Sequence, residues 1–193
     1  MNKVKYGLKN VHVAKLTETD EGEVSFGTPK RIPGAVALSL PPVGEKTAFH
    51  ADDIEYFTSV QNNGYEGTLE VAIVPDWFKE EILCEEVDEN NVQIENANNQ
   101  PERFALMFEF DGDKNKIRHV MFNCKASRPN IEGNTKTNTA DPKTETLPIV
   151  VKPLADGKVK ARTNEKTTKT AYDNWYKGVY GFSGAAAAST QGA

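Results

Sequence analysis

Residues 103–128 constrain this chain more than any other stretch. They read RFALMFEF, then DGDKNK, then IRHVMFNCKASR, two strand patterns about a polar turn. On the first arm Phe104, Leu106, Phe108 and Phe110 share one parity, opposed by Glu109 and Asp111. On the second arm Val120, Phe122, Cys124 and Ala126 are opposed by His119, Asn123 and Lys125. Successive side chains on a strand point to opposite faces. The pattern therefore predicts a hairpin with one densely apolar face and a more polar face carrying Glu109, His119 and Asn123. A lone hairpin is not stable in water, so the rest of the chain must supply a second layer.

Several segments read as that layer. Val11 and Val13 alternate with His12 and Ala14. Val36, Leu38 and Leu40 share a parity until Pro41-Pro42 stops the strand, because proline removes ladder donors. Leu69, Val71 and Ile73 form one face, and so do Leu147, Ile149 and Val151, where Pro148 marks an edge or a bulge. Two helices are predicted. In PDWFKEEILCEE, Pro75 suits the first turn and Phe78 and Ile82 lie one turn apart. The carboxylates Glu85, Glu86, Asp88 and Glu89 oppose the helix dipole and should end that helix near Cys84. In TAYDNWYKGVY, Thr170 and Asp173 resemble a capping box, and Ala171, Tyr172, Trp175, Tyr176 and Val179 make a helical stripe.

Roughly eight to ten strands with two short helices and no βαβ alternation define a mainly β, β-rich α+β fold. Its expected form is two packed antiparallel sheets, sandwich or barrel, with a flanking α-helix and a second short helix. Residues 1–180 read as one domain, and 181–193 as a flexible Gly/Ala-rich tail. Within the domain, 43–66 has strand-forming residues but poor parity on either side of Asp52-Asp53. It reads as a projecting hairpin or loop ordered by a partner. Residues 128–142 read as a long exposed loop, a length that in a compact domain usually serves binding.

Charge and composition exclude several functions. The chain of 193 residues carries 23 basic and 28 acidic side chains, a net −5. That argues against a general DNA-binding surface, yet suits a protein past which nucleic acid slides. No apolar run reaches the roughly 20 residues of a membrane span. The N-terminus lacks the apolar core of a signal peptide, so synthesis in a cytoplasm is expected. Cys84 and Cys124 read as small buried residues rather than a disulfide frame.

Candidate chemistry fails on spacing. DGDKNK places Asp111, Asp113 and Asn115 like calcium-loop ligands, but Lys116 and Phe122 stand where glycine and glutamate are needed. Strand parity separates His119 from Cys124, against both a zinc site and a Cys-His nucleophile. GFSG around Ser183 lacks a nucleophile elbow, and GEKT lacks the first glycine of a phosphate loop. No catalytic, cofactor-binding or metal-binding residue is assigned, no cofactor is expected, and the chain does not read as an enzyme.

One resemblance spans residues 3–180. YGLKNVHVAKLTE, NNGYEGTLEVAIVPDWF, FALMFEF, RHVMFNCKASRPNIEGNTKT and DPKTETLPI, in this order, resemble the phi13-type major tail (tail tube) proteins of long-tailed phages of Gram-positive bacteria. The resemblance implies a structural virion protein with two orthogonally packed sheets and a helix. It implies hexameric rings that stack into a hollow tail tube, assembled in the host cytoplasm, through which DNA passes without sequence-specific binding. The implied partners are further copies of the chain, a tape measure protein in the lumen, and tail tip and tail terminator proteins. Phe49, His50, Asp52, Asp53, Ile54, Tyr56 and Phe57 are the expected inter-ring contacts. Glu109, Asp111 and Asp113 are the expected acidic residues facing the lumen. Two other roles are weighed: a tail-completion or distal-tail ring protein, and a monomeric carbohydrate-binding β-sandwich.

Overall fold

A computed structural model describes residues 3–112, 114–135 and 142–182. The first half runs β1 (Lys5–Glu18), β2 (Val24–Phe26), β3 (Lys30–Arg31), β4 (Ala35–Ser39), β5 (Lys46–Ala51), β6 (Ile54–Val60), β7 (Tyr65–Val71) and α1 (Asp76–Glu81). The second half runs β8 (Glu86–Val87), β9 (Gln93–Ile94), β10 (Arg103–Gly112), β11 (Ile117–Ala126), β12 (Glu145–Val151), β13 (Lys160–Arg162) and α2 (Lys169–Asp173). The protein is mainly β, as the patterning predicts.

Nine strands form one antiparallel sheet in the order β2-β1-β10-β11-β12-β7-β4, with β13 on β11 and β3 on β1. Residues 30–35 bridge its two flanks. The amide of Ile32 bonds the Val11 carbonyl on β1, and the amide of Ala72, just past β7, bonds the Gly34 carbonyl. The sheet thus curls on itself, and its two flanks supply the facing layers of a barrel-like fold.

The curl divides the buried side chains into two cores. The inner core takes Val11 and Val13, Leu69 and Val71, Phe104, Leu106 and Phe108, and Leu147, Ile149 and Val151 from the strands, closed by Phe78, Ile82 and Leu83 around α1. The outer core takes Ala14, Leu16, Phe26, Ala105, Met107, Val120 and Phe122, covered by Leu154, Trp175 and Val179. The hairpin of β10 and β11 is therefore buried on both faces, not on one. The C-terminal segment covers the face expected to be polar.

Bulges explain where parity misleads. Phe104 pairs with Cys124 but Leu106 pairs with Met121, so β11 carries one extra residue between them. Beyond it the faces exchange: Val120 and Phe122 enter the outer core, while Met121, Cys124 and Ala126 enter the inner one. His119 and Cys124 consequently lie on one face rather than on opposite faces. A second bulge, where Ala35 and Ala37 face the successive residues Val71 and Glu70, turns Val36 outward, away from Leu38. The strand predicted through Ile73 stops at Val71, which leaves Ile73 exposed.

Both helices are shorter than their periodicity suggests. α2 starts from Thr168, not Thr170: the Thr168 hydroxyl accepts the Ala171 amide at 3.4 Å. After Asp173 the chain continues in turns, yet Trp175 and Val179 still reach the outer core.

Candidate assembly surface

The segment 43–66 is a two-stranded ribbon that grows out of the sheet. β4 and β7 are paired at its base, Pro42 bridges Tyr65, and the Val43 amide bonds the Gly64 carbonyl at 2.9 Å. The pairing then passes Glu45 and Gln61 into β5 and β6. Gly44 and Gly64 make this passage possible. A Cβ on Gly44 would run into the Gln61 carbonyl, and one on Gly64 (φ +98°) into the Val151 carbonyl.

At the tip, Asp52 (φ 53°) and Asp53 (φ 60°) both occupy the left-handed region, as a two-residue type I′ turn requires. Phe49 faces Phe57 across the strands, Ala51 faces Ile54, and His50 faces Glu55; Tyr56 is the extra residue of a bulge. Lys46 and Glu55 form an ion pair at 2.9 Å on the surface. Relative exposure is 61% at Phe49, 61% at Ile54, 70% at Tyr56, 62% at Phe57 and 75% at Val60. None of these side chains joins either core. An extended two-stranded ribbon with five large apolar side chains in water is a candidate contact surface.

The acidic residues of the central hairpin have different fates. Glu109 is wholly buried. Its carboxylate accepts from Asn10 Nδ2 at 2.8 Å and Arg118 Nε at 3.1 Å, with Lys116 Nζ at 3.5 Å. Asn10 can reach it because a bulge in β1 holds that residue at φ 51°. The Arg118 guanidinium lies 3.8 Å from the Tyr172 ring centre and donates to the Tyr172 carbonyl. His12 packs on Tyr176 with ring centres 4.5 Å apart and the planes tilted by 34°, and burial pushes the Tyr176 phenol up. This network fastens the C-terminal segment to the sheet, so Glu109 faces the subunit interior and leaves the set of acidic lumen residues. Asp111 pairs with Lys9 at 2.5 Å, which holds its carboxyl below the usual range. Asp113 lies outside the described residues. Sequence reading missed Arg118 and Asn10; only the burial of Glu109 singles them out.

The inner face of β11 is chemically quiet. His119 stacks on Phe108 at 5.1 Å, and burial, helped by Arg162, Lys160 and Lys5, lowers it to about 4. Burial pushes the Cys124 thiol up to about 12, far from a reactive thiolate. Cys84 is half-buried and free. Among the described residues no three His, Cys, Asp or Glu side chains could hold a metal ion.

A β-rich chain with two closed cores, an uncovered ribbon and no metal-binding cluster among the described residues fits a structural class of protein. The family comparison gives this class its identity: a model described as phage tail tube protein matches residues 1–189, and the chain belongs to that family. It is a structural protein of the phage tail. No curated protein matches the chain. Among solved structures it is similar to the anti-feeding prophage cap, a tube terminating cap seen by cryo-electron microscopy. The TM-score is 0.47 at 12% identity, over 83% of this chain and 93% of that one. Among the described residues no helix is long and apolar enough to cross a membrane.

Proposed function

We propose that this chain is the major tail tube subunit. Hexameric rings of it, assembled in the host cytoplasm, stack into the hollow tube through which DNA enters the host. The observation that carries this reading is the ribbon of β5 and β6, with Phe49, Ile54, Tyr56 and Phe57 in water. Burying one such side chain is worth about 1.5–3 kcal/mol, so covering four of them on an adjoining ring is a strong drive to stack. Asp52 and Asp53 set the turn that presents them, and His50 shares the contact. The domain is residues 1–180, with 43–66 as the inter-ring ribbon; the loop expected at 128–142 and the tail expected at 181–193 fall partly outside the described residues.

The net −5 charge suits a lumen that repels phosphate, so DNA passes without sequence-specific binding. Asp111, near the end of β10, is an acidic candidate for that lining, and so is Asp113, which lies outside the described residues. A tape measure protein fills the lumen before DNA does, and tail tip and tail terminator proteins close the ends.

Deleting residues 45–60 tests the reading. The ribbon contributes nothing to either core, so the variant is expected to melt close to the wild type while negative-stain micrographs show no tubes. Tubes of normal appearance from the deletion variant would move the inter-ring contact to 129–142. Isolated wild-type rings that never stack at any concentration would point to a ring protein that terminates the tail.

A further inference from the structure

The two ends of β10 carry opposite charge. Its first residue, Arg103, follows Glu102, whose amide bonds the Ile82 carbonyl beside α1. Its last residue, Gly112, leads into the turn before Ile117 and α2. Ten residues of strand separate these ends by about 30 Å.

At the α1 end, residues 76–95 hold eight carboxylates against Lys79. That is a net −7 where the whole chain carries −5. Glu81 is paired with Lys30 and Glu95 with Arg128, and Asp88 accepts the amides of Asn90 and Val92. Glu86 and Glu89 remain exposed on the small hairpin of β8 and β9, beside exposed Val87, Val92 and Ile94. Burial raises Glu85 above its ordinary range; Lys79 opposes the shift, and Glu95, Asp76 and Glu80 add smaller pushes in the same direction as burial.

At the far end lies a cleft of about 610 Å³ between the β10–β11 turn and residues 162–172. Lys116, Arg162, Lys166 and Lys169 line it against a single carboxylate, Glu165, and Ile117 and Tyr172 give it an apolar wall. Lys169 is shared with Asp173 at 2.5 Å and Lys116 with Glu109, so Arg162 and Lys166 are the cations most open to a partner. The cleft is matched in sign and in character by the β8–β9 hairpin: acids for the cations, valines and isoleucine for the apolar wall.

We infer that the β8–β9 hairpin of one copy docks into the Arg162/Lys166 cleft of the next, a head-to-tail contact distinct from that of the β5–β6 ribbon. It rests on the tube reading only in taking a second copy of this chain as the occupant. The two surfaces sit on different parts of the subunit, so the contact is heterologous: it closes into a ring or propagates. Opposed charge sets which neighbour is accepted, since like charges brought together there repel.

The test uses two full-length variants. One reverses the cleft (Arg162→Glu with Lys166→Glu), and the other reverses the rim (Glu86→Lys with Glu89→Lys). All four residues are exposed, so circular dichroism and melting are expected to match the wild type. If a reversal does not fold, the neutral pairs Arg162→Gln/Lys166→Gln and Glu86→Gln/Glu89→Gln replace it. Each variant alone should need at least about tenfold more protein than the wild type to assemble, by sedimentation and negative stain. Mixed one to one, the reversals restore both contacts in alternation, and assembly should return to the wild-type concentration; the neutral pairs show the deficit without rescue. Wild-type assembly should also weaken between 50 mM and 500 mM salt. Tubes that form equally well from either variant, or a mixture no better than its parts, would overturn this contact and leave the tube reading intact. A wild type that stays monomeric at every concentration in low salt would overturn both.

Discussion

At the residue scale, the buried pair of Glu109 and Arg118 governs how the C-terminal segment is held. Removing one partner of such a pair strands the other charge, at a cost of about 3–5 kcal/mol. Glu109→Gln is therefore expected to lower the urea midpoint by that equivalent and to lose the near-ultraviolet signal of packed Trp175. The double variant Glu109→Gln/Arg118→Met should recover part of the loss. A single variant that unfolds with the wild type would show that the pair carries no such role.

His119 makes a different residue-scale prediction. It titrates near 6.5 when unfolded and at about 4 when folded, so between those values the unfolded chain binds the extra proton. Stability is full above about pH 6.5 and drains as the pH falls toward 4. His119→Phe, which keeps a ring against Phe108, should shrink the drop in urea midpoint between pH 7 and pH 5. An equal drop in both proteins would contradict it. Neither residue could be read this way from sequence. Glu109 was legible only as polar parity, because what buries it arrives from residues 172–176.

At the element scale, strand identity was far more legible than strand facing. Alternation in 103–110 and 145–151 located β10 and β12, since neither strand carries an extra residue of its own and the bulges beside β10 fall on β1 and β11. It misassigned Cys124, Val36 and Ile73 because a bulge or a strand end costs one residue and leaves no hydropathy signature. The 43–66 segment was legible for the opposite reason: its poor parity reflects a ribbon with no core on either side. The link between that ribbon and the sheet depends on Gly64. Gly64→Ala places a side chain at φ +98° against the Val151 carbonyl, and should cost at least about 1 kcal/mol. Amide exchange at residues 61–66 and 151–152 should quicken while that of β10 stays slow. Unchanged exchange around Gly64 would mean the close approach is easily relaxed.

At the scale of the whole molecule, the mainly β architecture followed from counting alternating segments, whereas the curl did not. What joins the flanks is a pair of backbone bonds at Ile32 and Ala72, and backbone bonds between distant segments have no side-chain signal in the sequence. The assembly surfaces divide in the same way. The aromatic ribbon was visible as a patterning anomaly. The basic cleft was visible only in part: residues 152–169 read as a mildly basic segment, but Lys116 and Ile117, some 50 positions earlier, join it only through the fold.

The ribbon also gives the subunit a direction. It leaves one flank of the sheet, at β4 and β7, and among the described residues no second ribbon stands on the opposite flank to meet it as an equal. A file of such subunits points one way, like a row of arrows. With ribbons seated on the next ring as proposed, one terminus of such a file shows bare ribbons and the other shows bare seats, so the two termini are chemically unlike. On that proposed arrangement, two different proteins would each know their own end of the same filament by touch alone.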